Sequence, residues 1–153
     1  MIIKELDQKA GLTGDIKVTE SYLQFDKLLA ELRKRELPDE IVISINREVD
    51  EINATQVSGN ELVKQHKTKK NSILKLLEKE MKLVPENYYL GIWMAVGMAA
   101  FGLPIGVALG LSLDNMPFIG IGLPIGRPIG MAIGAGMDKK ASDEGRQLDL
   151  QIK

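Results

Sequence analysis

Residues 88–137 read YYLGIWMAVGMAAFGLPIGVALGLSLDNMPFIGIGLPIGRPIGMAIGAGM, and this run decides how the chain must fold. It holds two of the 41 charged side chains, Asp114 and Arg127, and 11 of the 15 glycines, so the other 103 residues carry 39 charges and four glycines. A division that sharp implies two solvents, water for one part and lipid for the other. Averages conceal it, because the whole chain of 153 residues has a net charge of -1 and a mean hydropathy near zero. Tyr88 to Leu113 supplies 26 uncharged residues, about 39 Å of helix against a hydrocarbon core of roughly 30 Å. Met116 to Met137 supplies 22 more, interrupted only by Arg127 and closed by Asp138, Lys139 and Lys140. Tyr88, Tyr89 and Trp93 cluster at the entry of the first run, where amphipathic rings prefer the headgroup level. The pattern predicts two spans joined by a tight turn at Asp114 and Asn115.

The pentapeptide Gly-Leu-Pro-Ile-Gly occurs at 102–106 and again at 122–126, and each copy lies in a longer series spaced by four. One series is Gly102, Gly106 and Gly110; the other is Gly122, Gly126, Gly130 and Gly134. A spacing of four lines these positions along one helix face, where the missing side chains let a second backbone approach. Over residues 91–136 the chain resembles the glycine-zipper class of small bacterial membrane proteins, which pack helices through GxxxGxxxG faces. That resemblance implies a packing geometry and no particular activity. If the chain reverses near residue 114, positions at equal depth have numbers summing to about 228, which sets Gly102 against Gly126 and Gly106 against Gly122. The favoured reading is therefore a hairpin whose own ladders meet. The other is a face shared between subunits, which would build a homo-oligomer and a pore.

Pro104, Pro124 and Pro128 each remove an amide, those that would bond the carbonyls of Ala100, Gly120 and Pro124, and a kink is expected at each. Arg127 falls between Gly126 and Pro128, near mid-span, where a cation costs roughly 2.5 to 3.5 kcal/mol. Two placements answer that cost. In one, Arg127 faces a bundle interior or wet cavity and meets carbonyls that the prolines free. In the other, the run breaks between Pro124 and Pro128 and the side chain snorkels.

Residues 1–87 read as a cytoplasmic helical region of about three helices. The lead-in from 1 to 18, with Gly11 and Gly14, is expected to be irregular. Thr19 offers an N-cap to a helix carrying Tyr22, Phe25, Leu28, Leu29 and Leu32 and ending near Glu36. Pro38, Asp39 and Glu40 restart a second helix with a stripe of Ile41, Ile45, Val49 and Ile52. A third is expected from about Glu61 to Val84, with Ile73, Leu74, Leu77 and Met81 on one face. Pro85 to Asn87 reads as a linker, 88–137 as the transmembrane hairpin, and 138–153 as a polar cytoplasmic tail, short and mobile from Ala141 to Lys153. The fold class is all-α.

Lys64, Lys67, Lys69 and Lys70 precede the first span, Lys139 and Lys140 follow the second, and the intervening turn has no Lys or Arg. Positive residues stay inside, so both termini are expected in the cytoplasm and the hairpin in the inner membrane. The same four lysines are candidates for contact with anionic lipid headgroups. The opening residues, Met1 to Asp7, lack the basic and apolar regions of a secretory signal.

The absence of Cys excludes a disulfide framework, a thiolate zinc site and a thiol nucleophile. The charge balance disfavours nucleic acid as a partner. His66 is the one histidine; no carboxylate lies three or four residues from it, and it reads as a solvent-exposed polar residue. Gly120 to Gly126 lacks the spacing and context of a dinucleotide loop. The acids at 39, 40, 48, 50 and 51 lack the pattern of a calcium loop. No catalytic residue, metal ligand or cofactor is therefore expected. The expected partners are the lipid bilayer and either further copies of the chain or another membrane protein. The leading functional expectation is a non-enzymatic integral membrane protein acting by helix association, as a pore, a membrane-perturbing element or a subunit of a membrane assembly. The alternative is a membrane-anchored adaptor whose cytoplasmic helices bind a protein, and a rival structural expectation is a soluble oligomer that buries the apolar hairpin.

Overall fold

The computed structural model describes residues 2–7 and 15–151. By its internal contacts the chain divides into two compact units, Met1–Leu83 with Leu148–Leu150, and Val84–Gln147 with Gln151–Lys153. The chain is helical, as the periodicities predict, and its two long apolar helices form a hairpin.

The first unit is built from α1 (Ile16–Arg33), α2 (Asp39–Asn53) and α3 (Gly59–Met81). Its core holds Phe25, Leu28, Leu29 and Leu32 of α1, Ile45, Val49 and Ile52 of α2, and Ile73 and Leu77 of α3, all at most 1% exposed. These are the stripes that the 3.6-residue period marks. α1 begins earlier than expected: Asp15, not Thr19, is the N-cap, and its carboxylate accepts the Lys17 amide at 2.9 Å. α3 ends before Val84, because Lys82 takes a left-handed conformation (φ 56°) and its amide donates back to the Glu78 carbonyl.

The irregular lead-in expected for residues 1–18 holds for 2–7, which form no regular element, and is corrected at 16–18, which belong to α1; its glycines at 11 and 14 lie outside the described residues. Ile2 to Asp7 run extended along α2, held by two asparagines seven residues apart and hence on one helix face. Asn46 accepts the Lys4 amide at 2.8 Å and donates to the Ile2 carbonyl at 3.0 Å; Asn53 accepts the Asp7 amide at 2.8 Å and donates to the Glu5 carbonyl at 3.0 Å. Each side-chain amide so satisfies one amide and one carbonyl of the segment, and the side chains of Ile3 and Leu6, three residues apart, enter the core.

The polar tail is a second correction. Residues 138–143 belong to a long helix, and Gln147–Gln151 forms a strand, β2, that pairs with β1 (Val84–Glu86), the stretch expected to be a linker. Leu148 and Leu150 are buried in the first unit's core while Asp149 between them is exposed. Two leucines at a spacing of two among polar residues are a short amphipathic strand.

His66 is the third correction. It is 1% exposed on α3, with its ring stacked on Phe25 at 6.2 Å and edge-on to Tyr22 at 6.4 Å. The Ser21 hydroxyl donates to the Val18 carbonyl at 2.8 Å, so the 2.9 Å contact between Ser21 Oγ and His66 Nδ1 is completed by the imidazole proton. Nε2 is left as a buried acceptor with no hydrogen-bond partner among the described residues. Burial holds this imidazole below the ordinary histidine pKa.

In the second unit, α4 (Tyr88–Gly97), a π-helical turn (Met98–Gly102) and α5 (Leu103–Ser112) form one continuous helix of 25 residues. A 3₁₀ turn (Met116–Phe118) leads into α6 (Ile119–Asp143). The reversal is a helix-terminating motif: Asp114 is left-handed (φ 46°), the Asn115 amide donates to the Gly110 carbonyl at 2.9 Å and the Asp114 amide to Leu111 at 3.4 Å. α6 closes likewise on Gly145 (φ 68°), with the Arg146 amide on the Ala141 carbonyl at 2.8 Å. Neither Pro124 nor Pro128 ends α6, which corrects the reading of a broken second run. Pro104 is met differently. The helix widens one turn before it, and the Leu103 amide bonds the Met98 carbonyl five residues back.

Candidate functional site

The seam between α4–α5 and α6 is made almost wholly of backbone. Gly97, Gly102, Gly106, Gly110, Gly122, Gly126, Gly130 and Gly134 are all buried, while most side chains around them point outward. A Cβ placed at Gly122 would lie 2.5 Å from the Gly106 amide nitrogen and 2.6 Å from its Cα; one at Gly126 would lie 2.6 Å from the Gly102 nitrogen and 2.8 Å from its Cα. Gly102 faces Gly126, and Gly106 faces Gly122. At Gly106 the added atom would strike the Ile119 carbonyl, and at Gly130 the Trp93 carbonyl. Gly134 completes the line, with 2.6 Å to the Leu90 Cα. Backbone cannot retreat as a side-chain tip can, so these positions admit glycine alone. Gly110 differs, since an added Cβ would meet the flexible Ile119 side chain at 3.1 Å.

Gly97 is a seam residue that a spacing of four does not find. A Cβ there would lie 2.6 Å from both the Gly126 carbonyl oxygen and the Gly130 Cα. It stands five residues before Gly102, and the π turn between them supplies the extra residue that keeps both on one face. A GxxxxG spacing ahead of a proline was the available signal.

A second missed residue is Asp138, which the sequence presents only as a charge closing the run. α4 begins at Asn87 in a left-handed conformation and has no local side-chain cap. Asp138, on α6 and 7% exposed, supplies one from across the hairpin: its two carboxylate oxygens accept the Tyr89 amide at 3.0 Å and the Leu90 amide at 2.8 Å. A carboxylate at a helix N-terminus also meets the positive end of the helix dipole. The open end of the hairpin is thereby latched.

Arg127 sits on the outer face of α6, exposed, next to Gly126 in the seam. It makes no hydrogen bond or ion pair with any described residue, so neither the hairpin's own interior nor a carbonyl freed by a proline receives it. Of the four lysines expected at a headgroup surface, Lys64 and Lys67 are exposed. Lys70 is 6% exposed with its ammonium on the Gln24 side-chain oxygen at 2.7 Å, and burial, aided by Lys67, lowers its pKa. Lys69 bridges Glu48 at 2.8 Å and Glu51, and Glu48 followed by Glu51 raises its pKa. Lys69 and Lys70 are therefore engaged within the first unit, and the headgroup reading is corrected for both. Among the described residues no cluster of His, Asp or Glu could hold a metal ion.

No family model, curated protein or solved structure matches the chain. The geometry of the seam therefore carries the functional reading.

Proposed function

We propose that the chain is a non-enzymatic integral membrane subunit whose residues 88–137 cross the bilayer twice as a glycine-sealed hairpin, with both termini on the cytoplasmic side of the inner membrane. The supporting observation is the inversion of the second unit: its buried line is glycine, and Ile92, Phe101, Val107, Leu111, Ile121, Ile125 and Ile133 are 38–66% exposed. In water such a surface would be costly over its whole length, whereas in hydrocarbon it is solvated and the polar backbone is satisfied inside the helices. The two helices, 25 and 28 residues long, are sufficient to span.

Because both ladders are consumed within one chain, the glycines are not left over to build a pore between subunits. The hairpin then acts as a rigid membrane element within a larger assembly. The adaptor reading keeps its own support, since the first unit has an independent core. Exchange of residues 88–137 for an unrelated two-span anchor separates the two: assembly retained favours the adaptor, assembly lost favours the hairpin itself. The membrane reading is tested by carbonate extraction, in which the protein should stay in the pellet until detergent is added. Recovery in the soluble fraction without detergent would contradict it and favour the buried hairpin of a soluble oligomer.

A further inference from the structure

Arg127 lies eight residues after the start of α6 and eleven before Asp138. That is about 12 Å and about 16 Å of helix. In the membrane reading, on which this inference rests, it is near mid-depth, exposed on the flank of α6 beside the seam, with no partner among the described residues. A lone cation at that depth is costly, and pairing with a carboxylate relieves the cost. Seven residues earlier, two helical turns along the same face, stands Gly120, where an added Cβ would touch nothing within 4 Å. Unlike the seam glycines, Gly120 is not used by the hairpin, and beyond it the face presents Arg127 between the exposed apolar side chains of Leu123 and Met131.

We propose that this face of α6 docks a transmembrane helix of another protein that carries an Asp or Glu at mid-depth, the carboxylate pairing with Arg127. A second copy of the chain cannot supply that group. Between Tyr88 and Met137 the one acid is Asp114, in the turn and thirteen residues from Arg127, about 20 Å along a helix. Asp138 lies at the opposite end and is occupied by the α4 amides. A lipid phosphate belongs to the headgroup level, a helix half-length away. The proposal therefore assigns the complementary charge to a partner helix.

The test uses the full chain in phosphatidylcholine vesicles and Trp93, its one tryptophan, as donor to a dansyl-labelled, tryptophan-free Leu-Ala transmembrane peptide bearing a central Asp, Asn or Leu. Flotation with the vesicles is checked first; failure to float overturns the membrane reading and this proposal with it. Energy transfer to the Asp peptide should reach half-maximum at a peptide-to-lipid ratio about tenfold lower than for the Leu peptide. Arg127→Leu should abolish that difference and Arg127→Lys should keep most of it. Equal transfer to the Asp and Leu peptides in a protein that floats, or an unchanged preference in Arg127→Leu, overturns the proposal while leaving the hairpin intact. Arg127-dependent dimerisation in peptide-free vesicles would assign the face to a second copy instead, and also overturns it.

Discussion

The two units of this chain pack by opposite rules. The first buries its largest apolar side chains and turns most of its charges outward; the second buries a line of residues that have no side chain and turns Ile, Leu and Phe outward. Cohesion in the first comes from removing apolar area from water. Close backbone approach, with dispersion contacts along the whole seam, holds the second. The substitutions that damage the two are therefore of opposite kinds. Shrinking a side chain damages the first unit, and adding one damages the second.

The largest effect that would break this contrast is expected at Phe25, fully buried and stacked on His66. Phe25→Ala should cost about 3 to 5 kcal/mol in chemical unfolding of the helical unit, followed by far-ultraviolet circular dichroism. Gly122→Leu should cost the hairpin about 3 kcal/mol, because the new side chain meets the Gly106 backbone. Ala108→Leu, at an exposed position of α5, is the control and should leave hairpin unfolding in mixed micelles nearly unchanged. If Gly122→Leu behaves like Ala108→Leu, the seam does not hold the hairpin together.

A smaller loss sharpens the account of the latch. Asp138→Ala removes the acceptor for two amides at the start of α4, and a cap of this kind is worth about 1 to 2 kcal/mol. The loss should show as faster amide hydrogen exchange confined to Tyr89 and Leu90 and their neighbours. Uniform exchange along the hairpin would point to a different role for the carboxylate.

The most modest effect is a pH dependence of the first unit. His66 has a folded pKa below its unfolded value of about 6.5 because burial disfavours its cation. Above the unfolded value both states are neutral and stability is full. As pH falls below it, the unfolded chain takes up a proton that the folded chain resists, and stability declines until the folded pKa is passed. Urea midpoints of the full chain should fall between the neutral and carboxylate ranges. In His66→Gln that slope should flatten; an unchanged slope would assign it to another group. Glu31, whose pKa is lowered chiefly by its hydrogen bond from Lys34, contributes only at more acid pH, where its protonation removes stability.

Much of this architecture was legible. Charge distribution separated the two regions, helical periodicity marked the core of α1 to α3, and depth arithmetic brought Gly102 to Gly126 and Gly106 to Gly122. What escaped depended on partners distant in sequence or on departures from the 3.6-residue period. Gly97 is off the four-residue ladder because a π turn intervenes. Asp138 caps a helix that starts 50 residues before it, which no local signal announces. The Ile2 to Asp7 segment is ordered by Asn46 and Asn53, about 45 residues on, and Leu148 and Leu150 are held by a core built before residue 84. His66 read as exposed because none of its helical neighbours, Leu62, Val63, Lys69 and Lys70, offers it a partner, while its surroundings are Tyr22 and Phe25 of α1.

The glycine seam is expected to close within one chain. That closure is tested most directly by nuclear Overhauser contacts between the Hα atoms of Gly106 and Gly122, and of Gly102 and Gly126, in the full protein in lipid nanodiscs. With uniformly labelled chains diluted into unlabelled ones, both contacts are expected to persist undiminished per labelled chain and to be missing from the isotope-filtered spectrum that selects contacts between chains. Their appearance in the filtered spectrum, or their loss on dilution, would show a zipper between subunits and contradict the self-closed hairpin.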